Sequence, residues 1–224
     1  MILALDTALG ACSAALVADG KTLAHEHLLM ARGHAEALAP MVEALMRSAG
    51  IPFAALDRIA VTTGPGTFTG QRVGLAFARA LGLGLKRPVI GVTTLDAMAE
   101  EALTKHPGIA WALAAADAKR GEIYLGARSV AAGAHMAPEL IKLENLAQRL
   151  ADLPHRNSAV ALAGTAAEAV TPLLEQAGLQ PFDSLVRQPD AVFVARLAAD
   201  APAGPPPKPL YLRAPDAKLP GFVP

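Results

Sequence analysis

The sequence predicts an α/β protein made of two related halves with mixed sheets. Three observations carry this. The apolar residues switch between a period of two and a period near 3.6 along the chain. Three strand-like runs come first, with a hairpin signal at Asp19-Gly20, where both positions tolerate positive φ. A similar order of elements then resumes near Ile109. Apolar residues are 53% of the 224, enough for a substantial core, but aromatics are only 4%. That core must therefore be Ala, Leu and Val, with backbones in close approach.

MILALD (1–6) is a short apolar run suited to a buried strand, and Gly10 allows the turn into ACSAALVA (11–18). KTLAHEHLLM (21–30) is the third strand. Over 32–50 the spacing of Leu38, Met41, Val42, Leu45 and Met46 predicts a helix, with Pro40 kinking it or marking its effective start and Gly50 ending it. LDRIAVTT (56–63) is a strand, a helix begins near Gly70 with Thr69 as its expected N-cap, and PVIGVTT (88–94) is a strand. A short helix over 95–103 ends before Pro107.

The second half begins with two strands within 109–129 that flank a turn at Lys119-Arg120-Gly121, and 135–143 adds a third. Helix, strand and helix follow over 144–153, 158–164 and 165–178, then a last helix over 190–201. Residues 201–215 are proline-rich and should be extended, unable to form a central strand. This order is that of a duplicated ribonuclease-H-like domain. It predicts a first domain over 1–105, a second over 106–200 and a tail over 201–224.

Lys plus Arg equals Asp plus Glu, 20 each, so the chain is a poor stand-alone nucleic-acid binder. Cys12 is the one cysteine, which excludes an internal disulfide and sets a cytoplasmic address as the expectation. The apolar start lacks a basic leader and is interrupted by Asp6, so it reads as strands and not as a signal peptide. No apolar run is long enough to span a bilayer, and no membrane contact is expected.

Two stretches could hold a phosphate. Asp6-Thr7 ends the first strand, and the turn after it offers backbone N–H groups; the plainer reading is a local Asp-Thr turn. GPGTFTG (64–70) leads into a helix N-terminus, a natural anion site, with Gly64, Gly66 and Thr67 as its candidate contacts. It lacks the Lys-Ser/Thr ending of a phosphate-binding loop.

The helix beyond is more telling. Gly70, Gly74, Ala78 and Gly82 are four apart and line one face. Each interior glycine costs about 1 kcal/mol against alanine, so a close contact must offset roughly 2 kcal/mol for Gly74 and Gly82. The spacing allows two contacts: the chain's own sheet, or a partner helix. Of the histidines, His25 and His27 share one strand face, but no third metal ligand is evident, and no serine sits in a Gly-x-Ser-x-Gly elbow.

LALDTALGACSAAL, GHAEALAP, TTGPGTFTGQRVGLAFARALGLGLKRPVIGVTTLDA and DAKRGEIYLGAR resemble the TsaB family, bacterial subunits needed to make threonylcarbamoyladenosine in tRNA. The resemblance spans residues 1 to about 130, and the tail LYLRAPDAKLP is similar to the family's C-terminal end. It implies an actin-like (ASKHA) fold of two ribonuclease-H-like halves, and kinship with TsaD, the subunit that transfers the threonylcarbamoyl group. TsaD-like enzymes carry metal-binding histidines after the strand matching PVIGV, where this chain has Thr93, Thr94, Leu95, Asp96, Ala97 and Met98. DAKRGEIY also has charges where actin-like ATPases prefer glycine and serine.

The resemblance thus implies a non-catalytic subunit that pairs with TsaD, works with the ATPase TsaE, forms a homodimer when alone and meets tRNA only through the complex. No cofactor of its own is required, and ATP or ADP at the junction with the partner stays open. The family pairs through two N-terminal helices, here 34–49 and 70–84. The expected contacts are His34, Leu38, Met41, Val42, Leu45, Gly70, Gly74, Ala78, Leu81 and Gly82. The alternatives are an actin-like ATPase or small-molecule kinase that uses Asp6 and the glycine turn, and, with its metal ligands missing, a metallopeptidase.

Overall fold

The computed structural model describes residues 1–150 and 158–213. It contains two five-stranded sheets of the same plan. In the first, β1 (Ile2–Asp6) is central: it pairs antiparallel with β2 (Ala11–Ala18) and parallel with β4 (Arg58–Thr62). The edges are β3 (Lys21–Leu29), antiparallel to β2, and β5 (Val89–Val92), parallel to β4. In the second sheet β6 (Trp111–Lys119) takes the central place, with β7 (Glu122–Ser129) and β8 (Gly133–Lys142) as antiparallel neighbours. β9 (Ala159–Ala163) and β10 (Gln180–Asp183) complete it on the parallel side. The orders β3-β2-β1-β4-β5 and β8-β7-β6-β9-β10 coincide, so the duplication expected from element order is present. Only β10 was not anticipated; it is short, carries Pro181 and lies at an edge, where a missing N–H is tolerated.

Strand alternation sorts the first core into two layers. Leu3 and Leu5 of β1 face α1 (His34–Ala49) and α2 (Phe68–Leu85), while Ile2 and Ala4 face the opposite way. α1 runs through Pro40 without ending, and Gly50 closes it in the left-handed region at φ 66°, as its position predicts. In the second half α4 (Leu146–Leu150) and α5 (Ala167–Gln176) cover one face of the sheet through Leu146, Leu150, Val170 and Leu174. Residues 151–153 of the predicted helix lie outside the described residues.

The inner faces are covered by helices that cross over. α3 (Thr94–Lys105) follows the first sheet yet packs Leu95, Met98, Ala99 and Ala102 on alanines of β6 and β9 in the second. α6 (Ala191–Ala198) follows the second sheet yet packs Ala191, Val194, Ala195 and Ala198 on β1, β2 and β4 in the first. The packing therefore does not follow a cut at residue 105. Polar ties fix α6 there. Asp190 accepts the Val192 amide as an N-cap at 2.8 Å and meets His25 Nε2 of β3 at 2.9 Å, and Ser13 Oγ accepts the Ala191 amide at 3.1 Å.

Candidate functional site

Asp6 ends β1 fully buried. Its Oδ1 accepts the Thr62 hydroxyl at 2.5 Å and the Ala8 amide at 3.2 Å, while Oδ2 is buried without a hydrogen-bond partner. Burial raises the carboxyl to about 7, against the pull of the Thr62 and Ala8 bonds. The turn after it is closed on the chain itself. Ala8 donates to Asp6, the Gly10 amide donates to Gln188 Oε1 at 2.7 Å, and the Ala8 carbonyl accepts the Thr67 amide at 2.8 Å. The expected phosphate contacts Asp6 and Thr7 are thus brought together with Gly66 and Thr67, but against one another.

The glycine turn lies directly on this segment. A Cβ at Gly66 would sit 2.3 Å from the Ala8 carbonyl oxygen, and one at Gly70 2.2 Å from that of Thr7. Gly64 has φ +105°, and its carbonyl accepts the Thr94 amide at 2.8 Å. The N-cap of α2 is Thr67 and not Thr69: its hydroxyl accepts the Gly70 amide at 3.0 Å, because the helix starts two residues earlier than the glycine spacing suggested.

The ridge Gly70-Gly74-Ala78-Gly82 is buried against the chain's own sheet, which corrects its expected role as a contact strip for a partner. A Cβ at Gly74 would meet Thr7 Oγ1 at 2.7 Å and Val61 at 3.3 Å; one at Gly82 would meet Val89 at 2.4 Å. The Thr7 hydroxyl donates to the Gly70 carbonyl at 2.7 Å and accepts the Gly74 amide at 3.0 Å, bridging two groups that an α-helix pairs with each other. Leu38, Val42 and Leu45 are likewise buried in this core, because they form the inward stripe of α1. Of the expected partner contacts, only His34, Met41 and Leu81 reach the surface, each half-buried.

The outer face of α2 holds other residues. Thr69, Arg72, Ala76, Arg79 and Ala80 are exposed, with Phe68 at 58% and Leu83 at 83%. Beside it, Glu36, Glu43, Ala44 and Arg47 are exposed on α1. Most of the residues that sequence spacing named on these two helices face inward. The greater apolar content marked the inward face, which the chain's own strands use.

A cavity of about 600 Å³ opens between the two halves. Thr67, Gln71 and Arg72 line it from the first half, Asp117, Lys119 and Tyr124 from the second, and residues 210–213 from the tail. The tail crosses from one half to the other. The Leu210 amide donates to the Thr63 carbonyl at 2.8 Å, Tyr211 stacks on Phe68 at 5.7 Å, and Arg213 pairs with Glu122. Arg72 lies 3.5 Å over the Phe68 ring and donates to the Tyr211 hydroxyl at 2.8 Å. Local sequence pattern does not foretell this brace, since its partners lie 91 or more positions apart. At the β6–β7 turn Lys119, Arg120 and Gly121 all have positive φ, and Lys119 pairs with Asp117 at 2.6 Å.

His25 and His27 do lie near each other, with ring centroids 6.4 Å apart, but His25 serves Asp190. Among the described residues no group of three or more His, Cys, Asp or Glu is placed to hold a metal ion. The segment Thr93–Met98 is structural: Thr93 caps α3 by accepting the Asp96 amide at 3.0 Å, and Thr94 and Leu95 are buried. No described helix is long and apolar enough to cross a membrane.

Two sheets of one plan, with helices exchanged between them over a cleft, define an α/β protein of the actin-like class. Residues 28–153 match the family model described as TsaD: tRNA N6-adenosine threonylcarbamoyltransferase. The tRNA threonylcarbamoyladenosine biosynthesis protein TsaB of Escherichia coli is 44% identical over 123 residues, 55% of this chain and 52% of that one. An uncharacterized protein of Mycobacterium tuberculosis is 36% identical over 225 residues, 97% of this chain and 93% of its own. YeaZ from Pseudomonas aeruginosa superposes with a TM-score of 0.79 at 29% identity, covering 94% of this chain and 99% of its own. The chain belongs to the TsaD/TsaB family of tRNA threonylcarbamoyladenosine proteins. It spans about half the length of the TsaB relatives from Escherichia coli and Haemophilus influenzae that it matches.

Proposed function

We propose that the chain is a non-catalytic subunit that pairs with a TsaD-type enzyme and supports threonylcarbamoylation of adenosine 37 in tRNA. One observation carries the non-catalytic part. Both turns suited to phosphate are closed on the chain's own atoms: the Ala8 and Gly10 amides are bound to Asp6 and Gln188, and Gly66 and Gly70 abut the Thr7-Ala8 backbone. The names of the relatives support the pathway. The exposed outer face of α1 and α2 supports pairing there, with Met41 and Leu81 at its margin and Arg79, Ala80 and Leu83 at its centre. TsaE joining the pair, a homodimer of the chain alone, tRNA met only in the complex, ATP or ADP at the subunit junction and a cytoplasmic site of action belong to the same reading.

A reconstituted modification assay with TsaD and TsaE, run with and without this chain, tests it. Modification should require the chain, and a pull-down should recover TsaD. Full modification without the chain would overturn the subunit role. ATP hydrolysis by the pure chain that is lost in Asp6→Ala would overturn the non-catalytic role.

A further inference from the structure

The cavity between the halves gathers side chains that the rest of the chain uses sparingly. Aromatics are 4% of the sequence, and there are two tyrosines; both of them, with Phe68, line this cavity. The chain is neutral overall, yet Arg72, Lys119 and Arg213 stand here, and among the described lining residues Asp117 is the one carboxylate. Arg72, Phe68 and Tyr211 form a layered stack, but Phe68 is 58% exposed and Tyr211 45%. A brace between the halves explains why these groups touch. It does not explain why two rings are left half in water beside cations.

Two turns border the cavity, one from each half, and neither offers amides to cradle a polyphosphate. The Thr67 amide is bonded to the Ala8 carbonyl at 2.8 Å, and the Lys119 amide to Asp117 Oδ1 at 2.7 Å. What remains for an anion is side-chain charge. The Lys119 side chain is 81% exposed, and its pair with Asp117 lies in water and holds weakly, so a phosphate can compete for it. Cations beside half-exposed rings suit single-stranded nucleic acid: the charges meet the backbone and a ring takes an unstacked base. A volume of about 600 Å³ has room for one nucleotide and none for a duplex.

We propose that this cavity receives one unpaired nucleotide of RNA, its base laid on the Phe68 and Tyr211 rings and its phosphate directed to the cations of the rim, Lys119 foremost. The inference rests on the subunit reading above and gives the chain its own share in holding tRNA once it is paired. The tail brace then has a second use, since it sets Tyr211 and Arg213 in place before RNA arrives. The test measures the affinity of a tRNA transcript and of a single-stranded RNA oligomer for the chain, alone and paired with TsaD, over a range of salt. The variants are Lys119→Gln, Phe68→Leu and Phe68→Tyr, each checked for melting temperature and for pairing with TsaD.

Lys119→Gln should lower the slope of log affinity against log salt by roughly one. Phe68→Leu should weaken binding by roughly fivefold or more with the slope unchanged, and Phe68→Tyr should keep the affinity of the intact chain. A chain that adds nothing to the hold of TsaD on RNA, and binds none alone, overturns the inference. So do folded Lys119→Gln and Phe68→Leu chains with unaltered affinity and slope; with pairing to TsaD measured separately, either result leaves the subunit reading standing. A chain that does not pair with TsaD overturns the subunit reading, and binding of the RNA oligomer by the chain and its variants alone then decides this inference. Loss of ATP binding or of a protein contact in the variants, with RNA affinity unchanged, gives the cavity to a free nucleotide or to a protein and overturns the inference too.

Discussion

Asp6 and the α2 glycines are single positions whose surroundings predict measurable behaviour. The Asp6 carboxyl stays protonated in the folded chain up to about pH 7 and ionises near 3.8 when unfolded. Between those values the folded state holds the extra proton, so stability falls as pH rises from about 4 to about 7 and levels off above. In Asp6→Asn that slope should be missing from denaturant titrations across the same window. The glycines separate by neighbourhood. Gly70→Ala forces a methyl onto the Thr7 carbonyl and should destabilise the fold by about 1–3 kcal/mol. Gly84→Ala lies in the same helix with nothing within 4 Å, and should stabilise it by up to about 1 kcal/mol. Urea unfolding of the two variants gives both signs directly. The glycine pattern was legible in the sequence. Its direction was not, because spacing places residues on one face without saying which surface that face meets.

Among the elements, the tail and the two crossing helices depart furthest from what local pattern foretold. Extended backbone over residues 201–213 follows from the prolines. Its course over the cleft depends on Tyr211, Leu210 and Arg213 finding Phe68, Thr63 and Glu122. Tyr211→Ala removes the stack on Phe68 and the hydroxyl that receives Arg72, so the brace should loosen. Hydrogen exchange at the Leu210 amide, bonded to Thr63, should quicken by an order of magnitude or more while the amides of β1 keep their protection. At the edge of the first sheet, the bond to Asp190 raises the His25 imidazole above its ordinary value, with burial opposing. The attachment of β3 to α6 therefore contributes in full below about pH 6.5 and weakens as pH rises through the raised value.

On the scale of the whole molecule the halves are interdependent, because each sheet's inner face is covered by a helix that lies next to the other sheet in sequence. A fragment of residues 1–105 leaves Ile2, Ala4, Val17, Ile90 and Val92 without α6. That apolar face should make the fragment aggregate. The intact chain should unfold in one step: Trp111 fluorescence, reporting the second half, and far-UV circular dichroism should give the same midpoint. Separate midpoints would mean that the exchanged helices do not couple the halves.

By itself the sequence determined the α/β class, the duplicated order of strands and helices, the ends of α1, the extended tail and the family resemblance. These rest on period, caps and short motifs, which act over a few residues and need no knowledge of the rest of the chain. Only the tertiary structure decided that the glycine ridge faces the chain's own strands, that the phosphate-like turns fill each other, that α3 and α6 change places, and that the tail braces the cleft. Each is a meeting of surfaces far apart in sequence. The energy that settles it comes from shape and hydrogen bonding between both partners, and neither partner's local sequence contains the other.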